Sequence, residues 1–121
     1  MAARERLICA AVDLAEGGKG VRFEVLRRGV PEPAFAVRFE GRVYAYLNRC
    51  AHVSVQLDWN EGEFFDLSGL YLVCATHGAA YEPESGRCVA GPCKGDSLVP
   101  LEAVEREGAV YLREECPDGP T

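Results

Sequence analysis

No stretch of this chain sustains the 3.6-residue apolar period of a helix; its apolar residues come in short runs, each stopped by Gly, Pro or a polar cluster. Leu7-Ile8-Cys9-Ala10 is the first such run. Val21-Arg22-Phe23-Glu24-Val25 alternates with period two after the turn-prone Glu16-Gly17-Gly18-Lys19-Gly20. Residues 35–39 and 43–47 flank Glu40-Gly41-Arg42 and predict a hairpin with a Gly-containing turn. Residues 70–73 form a compact β-prone run, and 97–101 and 109–112 read as two closing strands joined through Glu107-Gly108. Arg28-Gly29-Val30-Pro31-Glu32-Pro33 reads as a break in the pattern. Residues 14–17 and 101–105 are the best helical candidates, and both are too short to anchor a helical fold. With 13 Gly and 7 Pro in 121 residues, the chain is expected to form one antiparallel all-β domain of roughly eight to ten strands.

The pattern is interrupted between Leu47 and Ser97 by segments carrying Cys, His, Gly and Pro, which reads as a loop-built site on a β scaffold. The chain has six cysteines and two histidines, and both histidines lie beside a cysteine. Cys50-Ala51-His52 follows the run at 43–47; Cys74-Ala75-Thr76-His77 follows the run at 70–73. Two strand ends would each deliver one thiolate and one imidazole. A Rieske centre needs that set, two Cys on one iron and two His on the other. Zinc also accepts Cys and His, but its fingers usually group Cys with Cys and His with His. Two incidental core pairs are the third reading.

The run from Cys50-Ala51-His52 through Cys74-Ala75-Thr76-His77-Gly78-Ala79-Ala80-Tyr81, then Ser85-Gly86 and Gly91-Pro92, resembles the Rieske iron–sulfur family, and within it the small soluble Rieske-type ferredoxins. The resemblance implies a Rieske-type antiparallel β-sandwich base with an inserted small cluster-binding subdomain. It implies one domain over 1–113, its cluster-binding part at about 48–93, and a flexible tail at 114–121. It assigns one [2Fe–2S] cluster to Cys50, His52, Cys74 and His77, surrounded by Gly78, Tyr81, Gly91 and Pro92. Extra cysteines of the membrane-complex members are replaced by Val55 and Thr76, and a serine that bonds a bridging sulfide in high-potential members is replaced by Ala79. Two neutral imidazoles in place of thiolates ease the addition of an electron, while hydrogen bonds to sulfur raise the potential further. Tyr81 without the serine therefore implies a low to intermediate potential for the class. The 21 residues between the pairs (53–73) make room for an enlarged loop or extra hairpin over 58–68.

The implied function is single-electron transport between a reductase and an oxygenase or other acceptor, without catalysis by this chain. A catalytic oxygenase would need a mononuclear iron site, commonly two His and a carboxylate, and both histidines are already used. A redox or iron–sulfur sensor and a zinc-stabilised binding module are the alternatives. The net charge of −6, from 19 acidic and 13 basic residues, argues against nucleic acid as a partner and reads either as steering toward a basic redox partner or as an acidic surface kept soluble by its own repulsion. No apolar stretch is long enough to span a bilayer, and the first residues lack a signal-peptide core, so the cytoplasm is the expected compartment. Cys88 and Cys93 bracket Gly91-Pro92 either as a disulfide or cluster-tuning pair, or as two small buried hydrophobes. Cys9 is expected to be buried in a strand. Trp59, Phe64 and Phe65 are expected to anchor the long loop by packing, with Asp58, Glu61, Glu63 and Asp66 as its solvated acidic surface.

Overall fold

The computed structural model describes residues 3–27, 29–49, 56–58, 62–66, 68–74, 78–91 and 95–115. These form nine strands and one short 3-10 turn: β1 Ala3–Ala10, the turn Ala11–Asp13, β2 Val21–Arg27, β3 Val30–Phe39, β4 Arg42–Leu47, β5 Leu72–Val73, β6 Ala80–Tyr81, β7 Cys88–Ala90, β8 Pro100–Arg106 and β9 Ala109–Glu115. One six-stranded sheet runs in the order β1-β9-β8-β4-β3-β2, and a three-stranded sheet runs β5-β6-β7. All strand pairings are antiparallel. The all-β architecture expected from the sequence is the one observed.

Both Glu-Gly pairs make the tight hairpins they predict. Glu40 and Gly41 take φ of 52° and 79°, and Glu107 and Gly108 take 52° and 77°. Positive φ at both central residues is the primed turn whose twist suits a hairpin. The Glu16 carboxylate accepts the N–H groups of Glu40 and Gly41 at 2.5 and 2.8 Å, which fixes the first of these turns to the preceding loop. Residues 101–105, a helical candidate by sequence, lie in β8, where pairing with β9 overrides a weak local preference.

The segment read as a break is instead the start of β3, which runs through Pro31 and Pro33. Both prolines pair with β2, opposite Leu26 and Glu24. The Pro33 carbonyl points away from β2 and accepts the Asn48 N–H at 2.8 Å. The missing N–H of each proline therefore faces away from the β2 ladder, on the side where the β4 pairing ends at Ala34 and Leu47. A proline costs little where no ladder bond is due. At the other end of the chain β9 continues through Glu115, opposite Ala3; residues 116–121 lie outside the described residues.

Four consecutive buried residues, Ala34, Phe35, Ala36 and Val37, make β3 apolar on both faces. Ala34 and Ala36, with Ala45 and Leu47 opposite them, face a base core that includes Leu14, Val25, Val110 and Leu112. Phe35 and Val37, with Tyr46 and Tyr44 opposite, face a second core with Leu57, Phe64, Leu72, Cys74, Tyr81, Cys88 and Leu98. The β3–β4 hairpin is thus a shared wall. On one side lies the base, on the other the segment expected to hold the cluster.

Candidate metal centre

Three chain segments converge on the second core, and each is closed at its feet by hydrogen bonds. The second Cys/His segment is closed by backbone alone. β5 and β6 pair Leu72 with Tyr81 and Val73 with Ala80; the Cys74 N–H then donates to the Ala79 carbonyl at 2.9 Å, and the Gly78 N–H to the Cys74 carbonyl at 2.7 Å. Cys74 is fully buried at the foot of this turn. Gly78 is exposed with φ of 72°, and no described atom lies within 4 Å of where its Cβ would stand, so the turn itself demands glycine here.

The segment carrying Gly91 returns on itself in the same way. The Cys88 N–H donates to the Asp96 carbonyl at 2.8 Å and the Leu98 N–H to the Gly86 carbonyl at 2.8 Å. Gly91 has φ of 99°, and a Cβ there would stand 2.8 Å from the Ala79 Cα and 3.3 Å from the Gly78 carbonyl oxygen. Only a residue without a side chain lets this segment lie directly against the turn after Cys74. Cys88 is buried, and its thiol lies 3.3 Å from the Ala90 carbonyl oxygen. Tyr81 is fully buried between Leu72 and Cys88, its partners on the two flanking strands.

The first Cys/His segment spans more residues than a tight hairpin, and a side chain closes it. Asn48 is buried at the end of β4. Its Oδ1 accepts the Leu57 N–H at 2.8 Å, and its Nδ2 donates to Asp58 Oδ1 at 2.9 Å. Asp58 Oδ2 accepts the Gly62 N–H at 3.0 Å and faces Arg22 Nε at 3.1 Å. Arg22 also donates to Gln56 Oε1 at 2.5 Å. Asp58 was expected on a solvated acidic surface; its side chain has no exposure at all. The Arg22 guanidinium and two hydrogen-bond donors make its burial tolerable.

The long stretch between the pairs folds back as a further hairpin. Phe65 bridges Leu72, the Val73 N–H donates to the Phe64 carbonyl at 2.8 Å, and the Asp66 N–H to the Tyr71 carbonyl at 2.9 Å. Phe64 is fully buried and stacks on Phe35 at 4.0 Å with 12° between the rings; Phe65 stacks on Phe39. Both anchor the stretch as expected, and Trp59 lies outside the described residues. The Asp66 carboxylate holds the turn through Ser68 and the Gly69 N–H, and the Ser68 hydroxyl draws its pKa down.

Tyr46, which its alternating run does not single out, ties the shared wall to the cluster side. Its hydroxyl donates to the Pro83 carbonyl at 2.6 Å, and its ring covers Gly86, where a Cβ would come within 2.7 Å. Burial pushes the Tyr46 phenol up from its ordinary value. Of the expected ligands, the structure describes Cys74; Cys50, His52 and His77 lie outside the described residues, as do Pro92 and Cys93. Among the described residues no three His, Cys, Asp or Glu side chains cluster to hold a metal ion, and no helix is long and apolar enough to cross a membrane.

The profile of the Rieske [2Fe-2S] domain matches residues 5–105. The chain belongs to the Rieske [2Fe-2S] domain family. The Rieske fold carries a Rieske-type [2Fe–2S] cluster, and the structural neighbours agree with it. A chain of the complex of reduced oxygenase and oxidized ferredoxin in carbazole 1,9a-dioxygenase is 28% identical, with a TM-score of 0.70 over 92% of this chain and 94% of that one. The ferredoxin of carbazole 1,9a-dioxygenase from Nocardioides aromaticivorans IC177 is 20% identical, with a TM-score of 0.69 over 92% of this chain and 98% of that one. The terminal oxygenase of the same system is 22% identical, with a TM-score of 0.71, but the match covers 93% of this chain and only 30% of the oxygenase. The comparison with curated proteins returned no match.

Proposed function

We propose that this Rieske protein is a ferredoxin-like carrier that takes single electrons from a reductase and delivers them to an oxygenase or another acceptor. In this reading Cys50 and Cys74 hold one iron and His52 and His77 the other, within one domain over 1–113 whose cluster-binding part is about 48–93. One observation carries the assignment: hydrogen bonds join Cys74 to Gly78 and Ala79, Cys74 is buried at that closure, and Gly91 packs against Ala79 and Gly78. The donor chemistry, two thiolates and two imidazoles, fits the family's cluster. When bound, the cluster accepts and releases one electron.

The chain's own residues do the rest. Cys74, buried beside Ala79 and Leu57, contributes a thiolate out of reach of water. Gly91 lies directly against Ala79 and Gly78, Tyr81 is buried between its partners Leu72 and Cys88, and Gly78, next in sequence after His77, takes the positive φ. Catalysis is left to the partner, since near-full-length similarity runs to a ferredoxin while an oxygenase is matched over less than a third of its length. The redox partners are proteins, with neither nucleic acid nor membrane involved, and the compartment is the cytoplasm.

Anaerobically purified protein, analysed for iron, sulfide and zinc and examined by EPR after reduction, tests the ligand set. Two irons and two sulfides per chain with a Rieske spectrum are expected, lost in Cys74→Ser and shifted toward all-thiolate character or lost in His77→Cys. Zinc in place of iron sinks the carrier. Reduction by a ferredoxin reductase and reoxidation by a terminal oxygenase then separate a carrier from a sensor.

A further inference from the structure

We infer that Asn48, Asp58 and Arg22 form a positioning clamp for the first cluster-binding segment, the counterpart of the backbone hairpin that holds the second. The inference rests on the ligand assignment just proposed. Cys50 and His52 stand in sequence between Arg49 and Gln56, and the residues on both sides of that interval are joined through one side chain. Asn48 Oδ1 takes the Leu57 N–H and Asn48 Nδ2 reaches Asp58 Oδ1, while the Asn48 N–H is committed to the Pro33 carbonyl of β3. Asp58 passes the connection on to the Gly62 N–H and to Arg22 of β2, and the Gly62 carbonyl accepts the Gly20 N–H at 2.7 Å. The closure of the first segment is thereby referred to β2, β3 and the 18–20 loop.

Fold stability alone is a poor reason for this arrangement. Arg22 is one-third exposed and Asp58 is buried, so the pair returns little over a packed apolar group because desolvation of the carboxylate offsets the attraction. Hydrogen-bond polarity is what the clamp specifies. Leu57 and Gly62 present N–H donors, so position 48 must offer an oxygen toward 57 and position 58 an oxygen toward 62 and Arg22. Between 48 and 58 one donor must face one acceptor. Asn at 48 with Asp at 58 satisfies all of these conditions. So does the exchanged pair, in which an acid at 48 accepts from Leu57 and from the amide at 58, whose carbonyl oxygen takes Gly62 and Arg22. Either single exchange breaks one link: Asn48→Asp sets two carboxylates together, and Asp58→Asn sets donor against donor.

The test uses the full-length holoprotein: wild type, Asn48→Ala, Asn48→Asp, Asp58→Asn, the Asn48→Asp/Asp58→Asn double variant, and Val110→Ala as a base-core control. Visible bleaching in excess bathophenanthroline measures iron release. Asn48→Ala and both single exchanges are expected to release iron about tenfold to a hundredfold faster, the range for lost outer-shell support of metal ligands. They should also show broadened EPR features and a displaced midpoint potential. The double variant is expected to return toward wild type in all three, and Val110→Ala to lower the thermal midpoint while leaving release and EPR unchanged. Should Asn48→Ala fail to fold, Asp58→Asn against the double variant carries the same comparison. Wild-type release and spectra in the single variants overturn the clamp, as does a double variant no better than the singles or a control that releases iron equally fast. A wild-type chain without a Rieske spectrum overturns the ligand assignment instead, and the clamp's role falls with it.

Discussion

Gly91, Tyr46 and Asp58 each do something a residue-type reading does not reveal. Gly91 stands where a Cβ would meet the Ala79 Cα at 2.8 Å, at a φ that side-chained residues rarely adopt. Gly91→Ala is therefore expected to cost about 2 kcal/mol or more from strain and overpacking and to weaken cluster retention, as read from a lower thermal midpoint and faster bleaching. Tyr46→Phe removes the donor to the Pro83 carbonyl and leaves that buried acceptor unmet, a loss of about 1–2 kcal/mol. The same residue predicts an alkaline limit. Its folded pKa is raised by burial above the ordinary 10.0, so above a pH of about 10 the unfolded chain sheds a proton that the folded chain keeps. Its contribution is complete below that value and is lost as pH rises beyond it. Denaturant titrations at pH 8 and 11 should show a stability loss that is smaller in Tyr46→Phe. The proposed ligands could be picked out because both histidines of the chain fall beside a cysteine, in two separate segments. Asn48 and Asp58 could not, since an Asn ending a strand and an Asp among acidic neighbours carry no local signature; only the fold makes them partners.

At the scale of elements, the Glu-Gly hairpins and the extra hairpin in the long loop could be read from turn chemistry and spacing. β3 could not be read from its start, because Pro31 and Pro33 count against a strand unless they are known to face away from the β2 ladder. Four buried residues in a row in β3 also hide which face belongs to which core; the register with β4 decides it. The stack of Phe64 on Phe35 is the closer of two ring contacts, with Phe65 on Phe39, that join the long-loop hairpin to that wall. Phe64→Ala is expected to lose about 3–5 kcal/mol, the cost of deleting a buried aromatic. A chevron or equilibrium denaturation series would measure it, and a loss below about 1 kcal/mol would mean that the hairpin is not anchored there.

For the whole molecule, an excess of acid would favour the proposed electron delivery if the partner's docking face is basic. The second-order rate of electron transfer to a terminal oxygenase is expected to fall as ionic strength rises from about 10 mM to about 300 mM, where screening shortens the reach of charge to a few ångströms. A rate indifferent to salt would remove electrostatics from the encounter. The family and the cluster were within reach of the sequence, whereas the donor and acceptor depend on surface complementarity that a single chain does not encode.

The hairpin of β3 and β4 gives its odd-numbered apolar side chains of β3 to one interior and its even-numbered ones to the other. A fragment cut out at 48 and 93 would leave Phe64, Leu72 and Tyr81 facing solvent where Phe35, Val37 and Tyr46 had stood. The half proposed to bear the metal is consequently no transplantable cassette. Its colour and the base's sheet signal should vanish in one coincident transition on heating, because neither half owns a complete interior without the strands between them.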